Sequence, residues 1–171
     1  MSTRDVSTRV LFLGKPGIPL CFIDTSTLIY LDRLELLERV VAVFSVATIA
    51  GVIREFGRSP ERIAVYSTEE GATDLLLVKR AALCNAVVFS EDKKVLQDAD
   101  RHGLEYYNTL MIVLALYARR EIDIDACASL LARLESFARY SANVRGYGSE
   151  VLAALQSDGE TISMPSPFSG K

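Results

Sequence analysis

Two acidic residues stand just after short apolar runs of this chain. Asp24 directly follows the run Leu20–Ile23, and Asp92 comes three residues after the end of the run at residues 86–89. Apolar runs of this length are typical of buried strands, and parallel sheets form their sites beyond the carboxyl ends of their strands. We therefore expect Asp24 and Asp92 to reach the same crevice.

Two further acidic residues are placed on predicted helices. Glu55 lies off the apolar stripe of its helix, and Asp74 lies in the first turn of another helix. Four converging carboxylates suit a divalent cation such as Mg²⁺ or Mn²⁺, because these ions prefer oxygen ligands. Such an ion would activate water and stabilise the attacking and leaving oxygens of a phosphodiester. It would also relieve the repulsion that raises the pKa values of clustered carboxylates.

Structural roles explain the same residues. An Asp followed by Thr and Ser at a strand-to-helix junction, as at Asp24, is often only a helix N-cap, and Asp74 suits the helix dipole. Glu55 can equally be a solvated helix residue. Other chemistries lack their motifs. The haloacid-dehalogenase phosphatase motif D-x-D and the acidic pair of receiver domains are both absent from the end of the first predicted strand. The chain also has no glycine-rich motif for nucleotide phosphates.

Apolar runs alternate with helical stripes along the chain. Strands are predicted at residues 20–23, 40–44, 62–67, 86–89 and 104–107. Helices are predicted at about 26–38, from 45 to 56, from 73 to 83, from about 95 to Gly103, from 109 to 119, at 125–140 and at 149–156. Thr73 and Asn108 are predicted to cap two of these helices. This alternation with short connections predicts an α/β fold with a mainly parallel sheet.

Composition limits the class of protein. The chain of 171 residues is half apolar, which favours one folded domain over disorder. Lys and Arg number 19 against 22 Asp and Glu, and the sequence pI of about 5.3 is unlike that of basic nucleic-acid-binding domains. The three cysteines are far apart and His102 is the single histidine, so we expect neither a disulfide framework nor a zinc site.

The ends of the chain show no targeting pattern, and a cytoplasmic protein is expected. The longest uncharged run, residues 40–53, is shorter than the ~20 residues that span a bilayer. We divide the chain into an N-terminal extension at residues 1–19, one domain at 20–156 and a flexible Ser-, Pro- and Gly-rich tail at 157–171.

Four short motifs contain the acidic residues in order. They are the octapeptide FIDTSTLI at residues 22–29, FSV at 44–46 followed by IREF at 53–56, ATDL at 72–75, and VVFSED at 87–92 with Gly-Leu and Asn-Thr pairs further on. Together they resemble the motifs of the PIN domain, the fold of VapC-like toxin ribonucleases and of several RNA-processing nucleases. The resemblance covers about residues 20–116.

The resemblance implies a three-layer α/β/α fold, with helices on both faces of the sheet, and a metal-dependent endoribonuclease that hydrolyses RNA phosphodiester bonds. The implied acidic quartet, which would hold Mg²⁺ or Mn²⁺, is Asp24, Glu55, Asp74 and Asp92. In this interpretation three Asp side chains ligate the ion, and Glu55 completes the cluster or positions the attacking water. Ser26 and Ser90 would orient carboxylates or water.

RNA is the implied substrate, and an antitoxin protein and a second copy of the chain are further implied partners. Four cations near the acids predict contacts with RNA phosphates, although an ordinary solvated face explains each equally well; they are Arg54, Arg58, Lys93 and Lys94. Asn108 either binds water or metal at the crevice or only caps its helix. The alternative function is a non-catalytic PIN module that binds RNA or assembles in RNA processing.

Overall fold

The computed structural model describes residues 19–162. Within them, five parallel strands form one sheet: β1 (Leu20–Ile23), β2 (Ser45–Ile49), β3 (Ala64–Tyr66), β4 (Val87–Phe89) and β5 (Tyr106–Tyr107). The same residues form eight helices: α1 (Thr25–Arg33), α2 (Leu37–Val43), α3 (Ala50–Phe56), α4 (Thr73–Leu83), α5 (Lys93–Arg101), α6 (Thr109–Ala118), α7 (Ile124–Glu135) and α8 (Ala142–Ile162). The predicted α/β class, with the parallel sheet between helical layers, is confirmed.

The order of the strands creates a crevice at the centre of the sheet. In the order β3-β2-β1-β4-β5, the chain adds β2 and β3 on one side of β1 and then places β4 on the other side. Open parallel sheets bind ligands where the strand order reverses in this way, just beyond the carboxyl ends of the two strands. The residues that follow β1 and β4 are therefore the ones that the fold places at the crevice. The Asp24 amide donates to the Phe89 carbonyl oxygen (3.1 Å) and joins the two strand ends.

The predicted strand at residues 40–44 is wrong, because residues 40–43 belong to α2 and Phe44 is its C-cap. The buried residues recur at helical spacing, as Leu37, Val40, Val41 and Phe44. The β-branched residues of this run favour a strand, which explains the wrong prediction. The spacing of the buried residues from Leu37 onward indicates a helix.

Two predicted helices also have boundaries that differ from the structure. The helix predicted at residues 26–38 is two helices, because α1 ends at Arg33 and Glu35 adopts a positive φ of 59° before α2 begins. The helix predicted from residue 45 begins only at Ala50, because residues 45–49 form β2. Since β2 lies between two strands in a covered sheet, four successive residues are buried without alternation. Thr48, the polar residue among them, donates its hydroxyl to the Ile23 carbonyl oxygen (2.6 Å).

The remaining predicted elements are confirmed with shifted ends. Thr73 is the first residue of α4 and Ala72 is its N-cap, whereas Asn108 caps α6 as predicted. The last helix begins at Ala142 rather than at residue 149 and continues to Ile162, so it enters the predicted tail. The rest of that tail and all but the last residue of the predicted N-terminal extension lie outside the described residues.

Helix α6 lies in the core of the protein. All residues from Thr109 to Leu116 are buried, and the helix packs against α1, α7 and α8 as well as β5. A helix that is apolar on every side belongs in a protein core.

Among the helices of residues 19–162, none combines the length and the apolar character that crossing a bilayer requires.

Candidate functional site

Asp24 is the buried acid of the site. As the N-cap of α1, its Oδ1 accepts hydrogen bonds from the Thr27 amide (2.9 Å) and the Ser26 hydroxyl (2.8 Å), and its Oδ2 accepts one from the Ser90 hydroxyl. Only 4% of the residue is exposed. Burial raises the pKa of the Asp24 carboxyl above its ordinary value, and the hydrogen bonds from Ser90, Thr27 and Ser26 oppose this rise. These bonds fill three of about four acceptor positions of a carboxylate, so capping leaves Asp24 one position for a ligand.

Two serine hydroxyls tie Asp24 to the segment that follows β4. The buried Ser90 hydroxyl donates to Asp24 and accepts from the Asp92 amide (3.0 Å), while the Ser26 hydroxyl accepts from the Glu91 amide (3.1 Å). Asp92 is exposed and caps α5, where its Oδ1 accepts from the Lys94 amide (2.7 Å). The acids after β1 and β4 are therefore held in one hydrogen-bonded unit at the crevice.

Glu55 and Asp74 come to the same edge from α3 and α4. The exposed Glu55 carboxylate accepts a hydrogen bond from the Thr25 hydroxyl (2.6 Å) at the start of α1. Partial burial and then the charges of Asp92 and Glu55 raise the pKa of Asp74, and Lys94 opposes this rise. The charges of Glu55 and Asp92 therefore act on Asp74 at this edge of the sheet.

The donor chemistry of these acids fits a hard divalent cation, because all four present carboxylate oxygens. As the side chains stand, however, no three Asp, Glu, His or Cys residues within positions 19–162 are grouped closely enough to hold a metal ion. Repulsion between the carboxylates favours this spread arrangement. Glu55, Asp74 and Asp92 are exposed and can change rotamer, whereas Asp24 is fixed by its hydrogen bonds. Metal binding would therefore turn three exposed carboxylates toward the fixed Asp24, and Glu55 and Asp92 would each give up one hydrogen bond.

Gly51 permits the close approach of α3 and α4 that brings Glu55 and Asp74 to one edge. A Cβ atom at this buried position would lie 3.0 Å from the Thr73 hydroxyl oxygen and 3.1 Å from its methyl carbon. Thr73 directly precedes Asp74 in the first turn of α4. A larger residue at position 51 would therefore push the start of α4, and Asp74 with it, away from the site.

Glu91 is a site residue that sequence patterns did not single out. Its largely buried carboxylate accepts hydrogen bonds from the Thr109 amide (2.5 Å), the Thr109 hydroxyl and the Tyr140 hydroxyl (2.6 Å). Burial raises the pKa of Glu91, and these hydrogen bonds oppose the rise. The hydrogen bonds of Glu91 thereby hold residues 90–92 against the N-terminus of α6. The position of Glu91 between the predicted site residues Ser90 and Asp92 is the one indication in the sequence. Its partner Tyr140 lies 49 residues away, and no sequence pattern connects the two.

The four predicted phosphate-binding cations have different surroundings. Arg58 forms an ion pair with Asp32, and its guanidinium carbon lies 4.9 Å from the centre of the Phe56 ring, so its charge is already engaged. Arg54 borders a polar cavity of about 550 Å³ beyond the ends of β2 and β3. Lys93 and Lys94 are exposed in the first turn of α5, and Lys94 acts electrostatically on Asp74.

Asn108 lies at the carboxyl end of β5, next to β4. Its Oδ1 accepts a hydrogen bond from the Met111 amide (3.0 Å), which confirms the helix-capping interpretation. The strand register pairs Tyr107 with Phe89, so Asn108 is a neighbour of Ser90 across the strands. Its amide therefore borders the crevice without belonging to the network of carboxylates.

Comparison with protein-family models, with curated proteins and with solved structures gave no match to this chain. The likeness to the PIN domain therefore depends on the four motifs and on no relative.

Proposed function

We propose that the chain is a metal-dependent endoribonuclease that hydrolyses RNA phosphodiester bonds through Asp24, Glu55, Asp74 and Asp92. The observation that supports this best is the position of the acids. Asp24 and Asp92 follow the two strands at which the sheet order reverses, and Ser90 connects them by hydrogen bonds. Open parallel sheets place their ligand sites at this point. The motif likeness to PIN nucleases supports the same chemistry.

The roles of the acids follow from their surroundings. In this proposal Asp24, Asp74 and Asp92 hold Mg²⁺ or Mn²⁺, and Glu55 completes the set or orients the attacking water. The bound ion would supply an activated water and charge stabilisation for the leaving oxygen. Ser26 and Ser90 hold Asp24 in place and favour its charged form against burial. Thr25 holds the Glu55 carboxylate at the start of α1 by its hydroxyl.

The exposed cations have a lesser role in this account. Lys93, Lys94 and Arg54 are exposed near the acids and would attract the RNA backbone, whereas Arg58 is engaged with Asp32. Since phosphate contacts contribute mainly sequence-independent affinity, they would position RNA rather than select it. Homodimer formation and inhibition by an antitoxin protein are further parts of the proposal that come from the PIN likeness alone.

One observation favours a second function, that of a non-catalytic PIN module that binds RNA or assembles with other proteins. Within the described residues, the carboxylates are not grouped as a ready ligand set. If the side chains cannot close around an ion, the crevice would serve binding alone. The two functions differ in one property, namely metal-dependent turnover.

We expect the purified chain to cut labelled single-stranded RNA when Mn²⁺ or Mg²⁺ is added and to leave it intact with a chelator. The reaction is followed by gel electrophoresis over a series of metal concentrations. Asp92→Asn should lose this activity, whereas Asp100→Asn, on the exposed end of the same helix α5, should retain it. RNA that is bound but never cut, with any divalent metal, would show that the non-catalytic function is the correct one.

A further inference from the structure

A cavity of about 300 Å³ lies beside the acidic site, between β5, α5 and α8. Its lining includes three tyrosines, Tyr106, Tyr107 and Tyr147, and two asparagines, Asn108 and Asn143. The other described residues of its lining are apolar, and none of the described lining residues is charged. Small-molecule sites have this character, with a mainly apolar wall and a few polar groups that fix orientation.

The cavity and the acids are direct neighbours in the fold. Asn108 follows Tyr107, whose carbonyl oxygen accepts a hydrogen bond from the Ser90 amide (3.0 Å). Leu96 of α5 also lines the cavity, and its amide donates a hydrogen bond to the Asp92 carbonyl oxygen (3.0 Å). Leu96 therefore lies one helical turn after Asp92. The cavity is therefore one strand spacing from Ser90 and about 6 Å along the helix from Asp92.

The lining selects a neutral, planar ligand with polar edges. A phosphate or a carboxylate would find no cation among the described lining residues. Aromatic side chains, in contrast, are the usual stacking partners of unpaired bases. The Oδ1 atom of Asn108 is occupied by the Met111 amide, which leaves the NH₂ group of Asn108 to donate to a ring nitrogen or carbonyl oxygen. Asn143 is exposed in the first turns of α8 and adds a second amide.

We infer that this cavity binds one nucleobase of a single-stranded RNA whose backbone crosses the neighbouring acids. The inference deepens the proposed ribonuclease function and rests on it for the identity of the polymer. The base stacks against tyrosine and is held by the two amides, so the enzyme reads a base at a defined position beside the cut. Base-paired RNA is excluded from this cavity because its bases are stacked within the helix.

The binding test uses the full chain, labelled with ¹⁵N, and free nucleosides that carry no phosphate. We expect at least one of adenosine, guanosine, cytidine and uridine to shift the side-chain amide signals of Asn108 and Asn143 saturably. Ribose 5-phosphate, which has no base, should leave these signals in place. Absence of saturable shifts with all four nucleosides, or equal shifts with ribose 5-phosphate, would overturn the inference.

Matched variants assign the binding to the cavity. Asn143→Ala removes one exposed amide and should weaken nucleoside binding about fivefold, as expected for one lost hydrogen bond. Tyr147→Leu should weaken it by about fivefold or more through loss of stacking. Glu150→Ala, exposed on the same helix and outside the cavity lining, is the control and should bind as the wild type does. Unchanged affinity in the folded Asn143→Ala and Tyr147→Leu variants would refute the assignment.

Cleavage assays separate this inference from the proposed function. Nucleoside binding together with a base preference next to the cut supports both, and Asn143→Ala should then flatten the preference. Nucleoside binding by a protein that cuts no RNA supports the base site and contradicts the ribonuclease. Cleavage without base preference, by a protein that binds no nucleoside, supports the ribonuclease and overturns the base site.

Discussion

We expect Asp24→Asn to lose nearly all metal-dependent RNA cleavage while the fold stays intact. The substitution preserves the shape of the side chain, and the amide oxygen can still accept hydrogen bonds from Thr27 and Ser26. The NH₂ group takes the place of Oδ2, so the Ser90 hydroxyl loses its acceptor there. The substitution also removes the negative charge that the cation site needs at its one fixed carboxylate. Since a bound ion contributes several kcal/mol of charge stabilisation, the cleavage rate should fall by about a hundredfold or more. The rate is measured with labelled single-stranded RNA at saturating Mn²⁺.

The same variant should be more stable than the wild type in metal-free buffer at neutral pH. Burial raises the pKa of Asp24 above the value it has in the unfolded chain. Between these two pKa values the folded state binds more protons, so the stability of the wild type falls as pH rises through this window. The neutral amide of the variant has no such penalty, and the advantage of the variant should shrink as pH is lowered below the unfolded pKa.

Thermal or urea unfolding at several pH values measures this difference, with chelator present throughout. Asp100→Asn is the matched control, because Asp100 is exposed on α5 and shows the effect of removing a carboxylate elsewhere. Full cleavage activity in Asp24→Asn would refute the assigned role of Asp24. A variant that is less stable than the wild type at neutral pH would refute this expectation and show that the lost hydrogen bond from Ser90 outweighs the cost of burying the charge of Asp24.

Glu91→Ala should destabilise the protein and also reduce cleavage. Removal of the carboxylate leaves three donors without an acceptor, two on the buried Thr109 and one on the half-buried Tyr140. Each unsatisfied donor costs energy, although the protein also loses the cost of burying Glu91, so we expect a net loss of about 2–3 kcal/mol. The segment with Ser90 and Asp92 would no longer be fastened to α6. Urea unfolding and the RNA cleavage assay measure the two effects.

Glu91→Gln separates positioning from chemistry. The Gln amide oxygen can accept from Thr109, and its NH₂ group can donate to the Tyr140 hydroxyl, so stability should remain within about 1 kcal/mol of the wild type. Cleavage should return with stability, because Glu91 acts in this account by holding its neighbours. If Glu91→Gln is as stable as the wild type but inactive, Glu91 itself takes part in the reaction. If Glu91→Ala is as stable as the wild type, the hydrogen bonds do not fasten the segment.

Local patterns were sufficient to place the two strand-end acids. Asp24 and Asp92 are predictable because a short apolar run that stops at a polar residue indicates a buried strand and its carboxyl end. The reversal of strand order between β1 and β4 cannot be predicted from the sequence pattern, because periodicity indicates where a strand lies along the chain but not which strands are adjacent in the sheet. This topology is what makes the two acids adjacent.

The errors of the sequence prediction have local physical causes. Residues 40–44 are rich in valine, and the preference of β-branched residues for strands concealed a helical spacing that begins at Leu37. Residues 46–49 are buried on both faces in the middle of the sheet, so they lacked the alternation that marks a strand. Sequence patterns do not predict the role of Glu91, because only the tertiary fold brings its partners on α6 and after α7 to it.

Diffraction from crystals of the full chain grown with Mn²⁺ would locate the metal in the protein by its anomalous signal. We expect a peak at the crevice, with carboxylate oxygens of Asp24, Asp74 and Asp92 bound directly to it, since hard divalent cations take oxygen ligands. We also expect Glu55, Asp74 and Asp92 to change rotamer toward Asp24. A crevice without a peak at saturating Mn²⁺, in crystals that leave this edge of the sheet accessible, would contradict the claim that these acids form a metal site.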